Sequence, residues 1–496
     1  MLEASRTGAP GDSPVESRGR RAPGADAQRF DAIVIGAGPS GMAAALRIAQ
    51  AGRRVALLEK HSLWGGLNSF YKRAGRRIDV GLHALTNFVP PGTTGTPLAR
   101  VLRQLRLDRS QLQLGEQTYS QSVFRVDGSL VRLRFANAGA MLCDEVARLF
   151  PGARARFDKF LAALPTYEQA GDVHESARKQ LRAQLAEPLL EEMLLLPVCY
   201  YGSPSEHDLE FGHFAVLFRS LFLEGFARPR GGVKTLLDVL LERLRSEGAQ
   251  MFLQCGVERI LVQDGRVRGV RLENGADWSA DVVLSSAGWS ETARLCPALE
   301  PRPPAPSELS FVEIYHVLRR QPAELGLDAA VTFFNDGEAF EYARPGEQQG
   351  AIDARSGVLC APSNYAGGLA QEEGVLRTTV LADPRVFCGA ASADYADIKA
   401  ASVERALTSA ARFGFDPRPH SVWSDAFTPR TIARFSFHDN GAVYGAARKL
   451  AQGATHIHGL GLIGTDQGYV GIVGAMLGGI LQANRMVVAP SLSTSP

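Results

Sequence analysis

The chain has 496 residues, of which 45% are hydrophobic and 21% charged, and its formal net charge is +2. This composition is typical of a soluble globular protein, and the length predicts roughly two to four domains. The near-neutral charge and the lack of basic runs interleaved with aromatic residues argue against a nucleic-acid partner. The six cysteines are scattered, with no CxxC pair and no short-spaced zinc pattern, so we expect reduced thiols and no bound metal.

The first 29 residues are rich in Gly, Ala, Pro, Ser and Arg, and they lack the apolar core of a secretory signal. Acidic residues among them disfavour a transit peptide, so we expect a disordered tail over residues 1–29. The apolar run 469–481 is too short and too rich in glycine to span a bilayer, which requires about 20 apolar residues. These features predict a cytoplasmic protein.

Residues 30–59 contain all parts of a dinucleotide-binding βαβ unit in order. An apolar strand at 32–35 leads into the GxGxxG loop, an alanine-rich helix at 42–51 and a second strand at 55–58. Gly36 allows the tight turn, Gly38 admits the pyrophosphate, and Gly41 lets the helix pack close to the strand. Glu59 ends the second strand, where an acceptor for ribose hydroxyls is expected.

The next blocks extend this pattern. The pair Gly65 and Gly66 allows the chain to pass close to a cofactor, and a short strand then leads to His83. From residue 97 to about residue 221 the pattern is helical, which predicts a cap outside the nucleotide sheet. Residues 228–253 read as a glycine turn, an amphipathic helix and a strand.

A β-meander follows at 257–288, with hairpin turns at Asp264-Gly265 and Asn274-Gly275. Residues 301–450 mix strands with a helix near 395–413, which predicts a mixed sheet. The last block, from residue 457, reads as a strand, a turn bearing Asp466 and a long helix of small residues. There is no second GxGxxG after a strand, so we expect one dinucleotide site.

These blocks, in this order, resemble the phytoene desaturase superfamily of FAD-dependent oxidoreductases, which includes carotenoid isomerases and retinol saturases. The resemblance covers roughly residues 30–90, 225–290 and 425–487. It implies an α/β fold with a Rossmann-like FAD-binding domain of the glutathione-reductase or amine-oxidase type. That domain would comprise residues 30–96, 225–300 and 455–490. Residues 97–224 and 301–454 would form a mixed-sheet substrate domain and a helical cap.

The resemblance also implies FAD as the cofactor and assigns the residues that bind it. Those for the pyrophosphate are Gly36, Gly38, Ser40 and Gly41, with Gly65 and Gly66 beneath the flavin-side phosphate. Glu59 would bind the adenosine ribose, the backbone of Val257 the adenine, and Asp466 the ribityl–pyrophosphate region. The turn and helix start at 469–474, which includes the predicted cofactor-binding residue Val470, would bring a helix N-terminus to the pyrimidine end of the flavin.

One departure concerns the branch of the superfamily. Bacterial phytoene desaturases usually carry an arginine after the glycine pair, whereas this chain has Leu67 followed by Asn68. The segment 65–71 resembles the isomerase and saturase branch, as does the segment 79–83.

The resemblance therefore implies an FAD-dependent oxidoreductase, a flavoprotein of carotenoid biosynthesis that acts on an apolar isoprenoid. Desaturation of a carotenoid precursor such as phytoene is our first hypothesis, and cis–trans isomerisation or retinol-type saturation is the second. A flavin amine oxidase and a non-enzymatic prenyl-binding protein similar to Rab GDP-dissociation inhibitors are the alternatives. Oxygen or a membrane quinone is the expected electron acceptor, and docking on a membrane surface would be reversible.

No catalytic triad is required, because the flavin accepts hydride and the protein supplies position. The catalytic side chains stay unassigned. His83 is a candidate proton donor or a hydrogen-bonded loop residue. Asp425 and Arg430 lie where the superfamily brings the chain toward the substrate, or else they form a structural ion pair. The aromatic run 211–226 lines a lipid tunnel or docks on the membrane surface in one interpretation and is ordinary core helix in the other.

Overall fold

Two seven-stranded sheets organise the part of the chain that the computed structural model describes, namely residues 27–81, 83–88, 90–300, 302–303, 307–346, 349–367 and 373–488. The strands are β1 Gln28–Ile35, β2 Val55–Leu58, β3 Phe70–Arg73, β4 Arg76–Asp79, β5 Leu114–Glu116, β6 Ser120–Val126, β7 Ser129–Phe135, β8 Ala227–Pro229, β9 Gln250–Phe252, β10 Val257–Gln263, β11 Arg266–Leu272, β12 Asp277–Ser285, β13 Ser310–Leu318, β14 Val331–Asn335, β15 Ile352–Cys360, β16 Gly374–Ala382, β17 Ser421–Phe427 and β18 Leu460–Leu462. The α-helices are α1 Pro39–Ala49, α2 Pro97–Leu105, α3 Ala140–Leu149, α4 Arg154–Ala163, α5 Ala177–Leu185, α6 Pro188–Gly202, α7 Phe211–Phe218, α8 Val233–Ser246, α9 Trp289–Leu295, α10 Pro384–Gly389, α11 Ser392–Ala411, α12 Pro429–Ser436 and α13 Gly471–Ala483.

The first sheet has the strand order β10-β11-β12-β1-β2-β9, and β18 pairs with β12. Its central strands β12, β1, β2 and β9 run parallel, and β2 together with the carboxyl-terminal halves of β1 and β12 is buried, as is typical of a parallel sheet covered on both faces. Helix α1 returns the chain from β1 to β2, and a Cβ atom on Gly41 would collide with the carbonyl oxygen of Gly36. The predicted βαβ unit and the predicted meander are both confirmed, with turns at Asp264-Gly265 and Asn274-Gly275.

The second sheet has the strand order β17-β13-β16-β15-β14-β6-β7 and is mixed, since β14 pairs with β6 in parallel while its other neighbouring pairs are antiparallel. Its outer strands β6 and β7 come from residues 120–135, so the prediction of continuous helix from residue 97 to residue 221 is wrong there. The missed signal is Asp127-Gly128, whose positive φ angles make a tight hairpin turn. The alternation of buried Leu133 and Phe135 with exposed Arg132 and Arg134 has the period of a strand.

The predicted tail 1–29 lies outside the described residues as far as residue 26. Gln28 and Arg29 are not part of a tail, because they are the first residues of β1 and pair with Trp278 and Ser279 of β12.

Helix α13 continues into a short π-helix, Asn484–Val488. Together they form a stretch, Gly471–Val488, that is long and apolar enough to cross a membrane, with a mean hydropathy of 1.3. In the fold, however, α13 packs on α1 in the core of the first domain, where Val473, Met476 and Ile480 are buried. A Cβ atom on Gly479 would collide with the carbonyl oxygen of Ser40 in α1. Helix α13 is therefore packed as a core helix in this fold.

We predict that the substitution Gly479→Ala destabilises the protein, because the added methyl group pushes α13 away from α1. Overpacking of this kind costs about 1–3 kcal/mol, measured as the free energy of unfolding in urea. Gly474→Ala on the same helix is the matched control, since its nearest backbone neighbour would lie at 3.5 Å, an ordinary contact. Alanine there should be neutral or stabilising by up to about 1 kcal/mol. Equal stabilities for the two variants would contradict the α1–α13 packing.

Candidate active site

One continuous cavity of about 950 Å³ is lined by residues of both sheets. The carboxyl ends of β1 and β2 form one side, with Ile35 and Leu58 in the wall, and one face of the second sheet forms the other. Ligand pockets span about 300–1,000 Å³, so this cavity lies at the upper end of that range. Its position outside the carboxyl ends of parallel strands is where open α/β sheets bind ligands.

The glycine loop and the start of α1 form the central part of the wall. Gly36, Gly38 and Ser40 line the cavity, and the first turn of α1 carries no acidic residue. The unpaired N–H groups and the positive end of the helix dipole therefore face the cavity without a competing carboxylate. A Cβ atom on Gly38 would meet no atom within 4 Å, so the loop leaves open space for a phosphate.

The second glycine pair lies against this loop. The N–H of Gly65 donates to the carbonyl oxygen of Ala37 at 2.9 Å, and Gly66 lines the cavity. A Cβ atom on Gly66 would lie 3.4 Å from the Cα atom of Gly38. The two glycine segments thus pack edge to edge, while Gly65 and Gly41 stay behind the cavity surface.

Glu59 lies at the carboxyl end of β2 and is 7% exposed. Its Oε2 accepts the N–H of Ala37 at 2.8 Å, and its Oε1 accepts the N–H of His61 at 2.8 Å. Each carboxylate oxygen has a second lone pair, so Glu59 can fix the glycine loop and still accept hydroxyl groups of a ribose. Val257 lines the same end of the cavity beside Cys255.

Asp466 and Val470 are placed differently from the other predicted site residues. Asp466 is buried, and its two oxygens accept the N–H groups of Trp289 and Ala446. Neither Asp466 nor Val470 lines the cavity, although Gly464 and Thr465 do. Their contact with a cofactor stays a prediction.

The N-terminus of α13 reaches the cavity through Gly471 and Ile472, which follow Val470 directly. Its first turn, like that of α1, contains no acidic residue. The cavity therefore receives two helix N-termini and, at one end, the carboxylate of Glu59. This donor set fits FAD, which has an anionic pyrophosphate, a ribose with two hydroxyls and a ring that gains negative charge on reduction.

Beyond the glycine loops the cavity becomes an aromatic chamber. Tyr200, Tyr201 and Tyr444 line it, together with aliphatic and phenylalanine side chains of the second sheet. The hydroxyl of Tyr201 donates to Ala84 and that of Tyr444 donates to the carbonyl oxygen of Tyr200. The hydroxyl of Tyr200 is hydrogen-bonded to Ser356 at 3.0 Å. The tyrosines therefore contribute ring surface rather than free hydroxyl groups.

The floor of this chamber is one row of side chains across five strands. The row runs Phe427, Glu313, Thr379, Val358 and Phe333, each directly opposite the next in the strand pairing, and all five line the cavity. The residues beside them in sequence point to the other face of the sheet, where Val312, Val380 and Leu359 pack in a separate cluster. The floor is apolar except at Glu313 and Thr379.

His83 completes a polar spot in this apolar chamber. Its Nε2 lies 3.2 Å from the hydroxyl oxygen of Thr379 and 3.4 Å from Oε2 of Glu313. Oε1 of Glu313 is held by the guanidinium of Arg377, which is fully buried. One carboxylate oxygen is thus fixed tightly, while the other has only long contacts within the chamber.

Burial decides the protonation of this spot. It raises the pKa of Glu313 above its usual value, although the adjacent Arg377 opposes the shift. It lowers the pKa of His83 well below its usual value, with help from the positive charges of Arg377 and Arg228. His83 is therefore neutral near pH 7, and Glu313 is the titratable group suited to exchange a proton with a ligand.

A second ion pair supports the loop that carries His83. Arg228 donates to Asp79 Oδ2 at 2.5 Å and to the carbonyl oxygen of His83 at 3.1 Å. The same Asp79 oxygen accepts the N–H of Val233 at 3.1 Å. The polar spot is thus fixed by Arg377 of the second sheet and by Arg228 beside the end of β4.

Asp425 lies at the mouth of the cavity, where it accepts from the hydroxyl of Tyr71 at 2.9 Å and from Arg73 at 2.8 Å. Arg430 does not line the cavity; it donates to the carbonyl oxygen of Ala390 and lies over the ring of Tyr395. The structural interpretation applies to Arg430, and Asp425 anchors an ion pair at the entrance.

The aromatic run 211–226 is core, and its interpretation as a lipid tunnel is wrong. Phe214, Phe218 and Phe222 are fully buried against one another, and no residue of the run lines the cavity. The lining aromatics and Glu313 come instead from segments distant in sequence. Only the strand alternation around residue 313, with a charged residue at a buried position, was available as a signal.

Among the described residues, no group of three or more His, Cys, Asp or Glu is placed to hold a metal ion.

Comparison with known proteins places the chain among flavoenzymes. Residues 39–318 match the family described as flavin containing amine oxidoreductase. The chain is 23% identical to prolycopene isomerase 1 of an Oncidium hybrid cultivar, over 93% of this chain and 84% of that protein. It is 28% identical to a neurosporene-forming phytoene desaturase of Cereibacter sphaeroides, over 54% and 55%. The crystal structure of an oxidoreductase from Methanosarcina mazei superposes with a TM-score of 0.63 at 17% identity, covering 91% and 99% of the two chains. The predicted fold class and the predicted FAD cofactor are confirmed.

We predict that Glu59→Gln weakens FAD binding about 10- to 100-fold, because hydrogen bonds to a charged acceptor contribute about 1.5–3 kcal/mol. The measurement is a titration of the apoprotein with FAD, followed by flavin fluorescence. Glu273→Gln is the control, since Glu273 is exposed and pairs with Lys60 outside the glycine loop. Wild-type affinity in Glu59→Gln would contradict the assignment of Glu59 to the ribose.

Proposed function

The chain belongs to the family of flavin-containing amine oxidoreductases and is an FAD-dependent oxidoreductase, and we propose that it desaturates an apolar isoprenoid, a carotenoid precursor such as phytoene. The observation that carries this proposal is the single cavity that joins the FAD-binding glycine loops to an aromatic chamber. A polyene needs a long apolar surface and few hydrogen bonds, and the floor row offers three apolar side chains among its five.

We assign the phosphate contacts to Gly36, Gly38, Ser40 and Gly66, the ribose to Glu59 and the adenine to Val257. When bound, FAD supplies an acceptor for a hydride. The aromatic walls position the substrate and exclude water, which is what desaturation requires of the protein.

The proton that leaves with desaturation goes, in this proposal, to Oε2 of Glu313. As one carbon loses hydride, the C–H bond of its neighbour breaks, and that electron pair forms the new double bond. Glu313 is the buried carboxylate in the wall of the aromatic chamber, and its Oε2 contacts only His83 and Thr379, at long distances. Arg377 holds the other oxygen and so keeps Oε2 directed at the chamber. A raised pKa brings a carboxylate closer to the ideal for a general base at neutral pH.

We further propose that the protein is cytoplasmic, docks reversibly on the inner face of a membrane, and passes electrons to oxygen or a quinone. Its apolar substrate is stored in bilayers, and the mouth of the cavity carries Arg73 and Lys399 beside the rings of Tyr71 and Phe427. Basic side chains beside aromatic ones favour an anionic lipid surface.

Carotenoid cis–trans isomerisation is the second candidate. Leu67, which replaces the arginine of bacterial phytoene desaturases, lines the cavity. In addition, the relative that this chain matches over 93% of its length is named as a prolycopene isomerase. The same chamber and the same acid–base group would serve that reaction.

The test is co-expression of the chain in hosts that accumulate phytoene or cis-lycopene, with pigment analysis by chromatography. We expect a yellow protein that releases FAD on denaturation and new conjugated double bonds in the phytoene host. Val358→Trp, which fills the floor of the chamber, should retain FAD and lose this activity. Conversion of cis-lycopene alone would favour isomerisation. No change in either pigment, with FAD bound, would contradict both candidates and favour amine substrates.

We predict that Glu313→Gln lowers the turnover rate roughly 100-fold or more and removes the acidic limb of its pH profile. In the wild type the carboxylate is the active form, so the rate falls as the pH drops through the pKa of Glu313, which burial raises above the usual value of a glutamate. Flavin content serves as the measure of folding, and Asp425→Asn at the cavity mouth should keep the acidic limb. A slow Glu313→Gln variant with the wild-type pH profile would assign Glu313 a structural role only.

A further inference from the structure

Two phenylalanines expose their rings in a way that the fold does not explain. Among the described residues, four large hydrophobic side chains are exposed, namely Val422, Phe435, Phe437 and Leu481. Phe435 is 53% exposed and Phe437 is 41% exposed. These two also line the cavity, whereas Val422 and Leu481 do not. Their apolar surface is therefore exposed on the cavity side.

The rings lie at the end of the cavity that the glycine loop and Glu59 define. The ring of Phe435 contacts His61 edge to face with a centroid distance of 5.8 Å. The Nζ of Lys60 lies 5.0 Å from the centre of the Phe437 ring. Lys60 and His61 follow Glu59 directly, so both rings flank the ribose position.

The segment that carries the rings follows β17 of the second sheet and is fixed at its far side to α9. The N–H of Asp439 donates to Glu291 of α9 at 3.0 Å, and Arg294 of the same helix pairs with the carboxylate of Asp439 at 2.6 Å. The side chains of Glu291 and Arg294 line the same end of the cavity. This strap therefore fixes the two rings at an end of the cavity that Val257 also lines.

We propose that Phe435 and Phe437 form an aromatic clamp on the adenosine half of FAD, with Val257 and Cys255 as the opposite wall. A purine has two large π-faces, and an aromatic side chain against such a face contributes stacking and removes apolar surface from water. The clamp rests on the FAD cofactor and is independent of the substrate. It also links the second sheet to the nucleotide site through the cofactor, because the rings follow β17 of that sheet.

The test compares ligands that differ only in the clamped part. Apoprotein is titrated with FAD and with FMN, which carries the same flavin without adenosine, and with ADP as a competitor of FAD. We expect Phe435→Leu and Phe437→Leu each to weaken FAD and ADP about tenfold, in line with the loss of one stacked ring. The affinity for FMN should stay within twofold of wild type.

Val422→Ala and Leu481→Ala are the matched controls, since they remove exposed apolar side chains outside the cavity, and they should bind FAD as the wild type does. Leucine retains bulk at positions 435 and 437, and thermal unfolding of each apoprotein checks the fold. Unchanged FAD and ADP affinities would overturn the clamp. So would weakening of FMN to the same degree as FAD. Loss of sedimentation with 3:1 phosphatidylcholine–phosphatidylglycerol vesicles, at unchanged FAD affinity, would instead assign the rings to a membrane surface.

Discussion

The hydrogen bond from the N–H of Ala37 to the carboxylate of Glu59 is the contact on which the nucleotide site depends. It ties the glycine loop after β1 to the carboxyl end of β2, at 2.8 Å and away from solvent. A charged acceptor fixes a backbone N–H more strongly than a carbonyl does, so the loop cannot drift from the strand end. With the loop held, the N-terminus of α1 faces the cavity and the second glycine pair can pack against Gly38.

The second constraint is a pair of buried ion pairs, one in the second sheet and one at the end of β4, on either side of the loop that carries His83. Arg377 of the second sheet holds Glu313 and also donates to the carbonyl oxygen of Val80, just after β4. Arg228 holds Asp79 at the end of β4. Buried pairs gain little over apolar packing, yet removing one partner costs about 3–5 kcal/mol. Their effect is therefore to select one relative placement of the loop and the sheet, the placement that brings His83 to Glu313.

Local sequence signals were sufficient to predict the glycine loop, the glycine pair and the meander of the nucleotide-binding part. The GxGxxG loop, the glycine pair and the two Gly turns of the meander each occupy a few consecutive residues, and each required a specific backbone geometry. The β6–β7 hairpin carried a similar signal at Asp127-Gly128, and it was missed because the helical pattern around it is stronger.

The residues that line the rest of the cavity could not be predicted from local sequence signals. Glu313, Thr379 and Phe435 meet the cavity from segments tens of residues apart, and their side chains face it only because of the strand pairing and the strap. Likewise, the aromatic run 211–226 was ambiguous, since a buried helix and a lipid-lining helix have the same composition. The structure shows that the run packs in the hydrophobic core.

The floor row shows why local sequence motifs determine the glycine loops but do not determine which side chains line the chamber. Glu313 faces Thr379, and Thr379 faces Val358, because β13, β16 and β15 pair in one register. A shift of one residue in β13 would turn Glu313 into the cluster under the sheet and bring Val312 or Ile314 to the chamber. The register is held by the alternation of cavity-facing residues with a well-packed apolar face, not by any motif in the strand itself. Substitutions along the row can therefore alter the chamber while the glycine loops, Glu59 and both helix N-termini keep their positions, so the cofactor and the substrate are recognised by separable parts of one cavity.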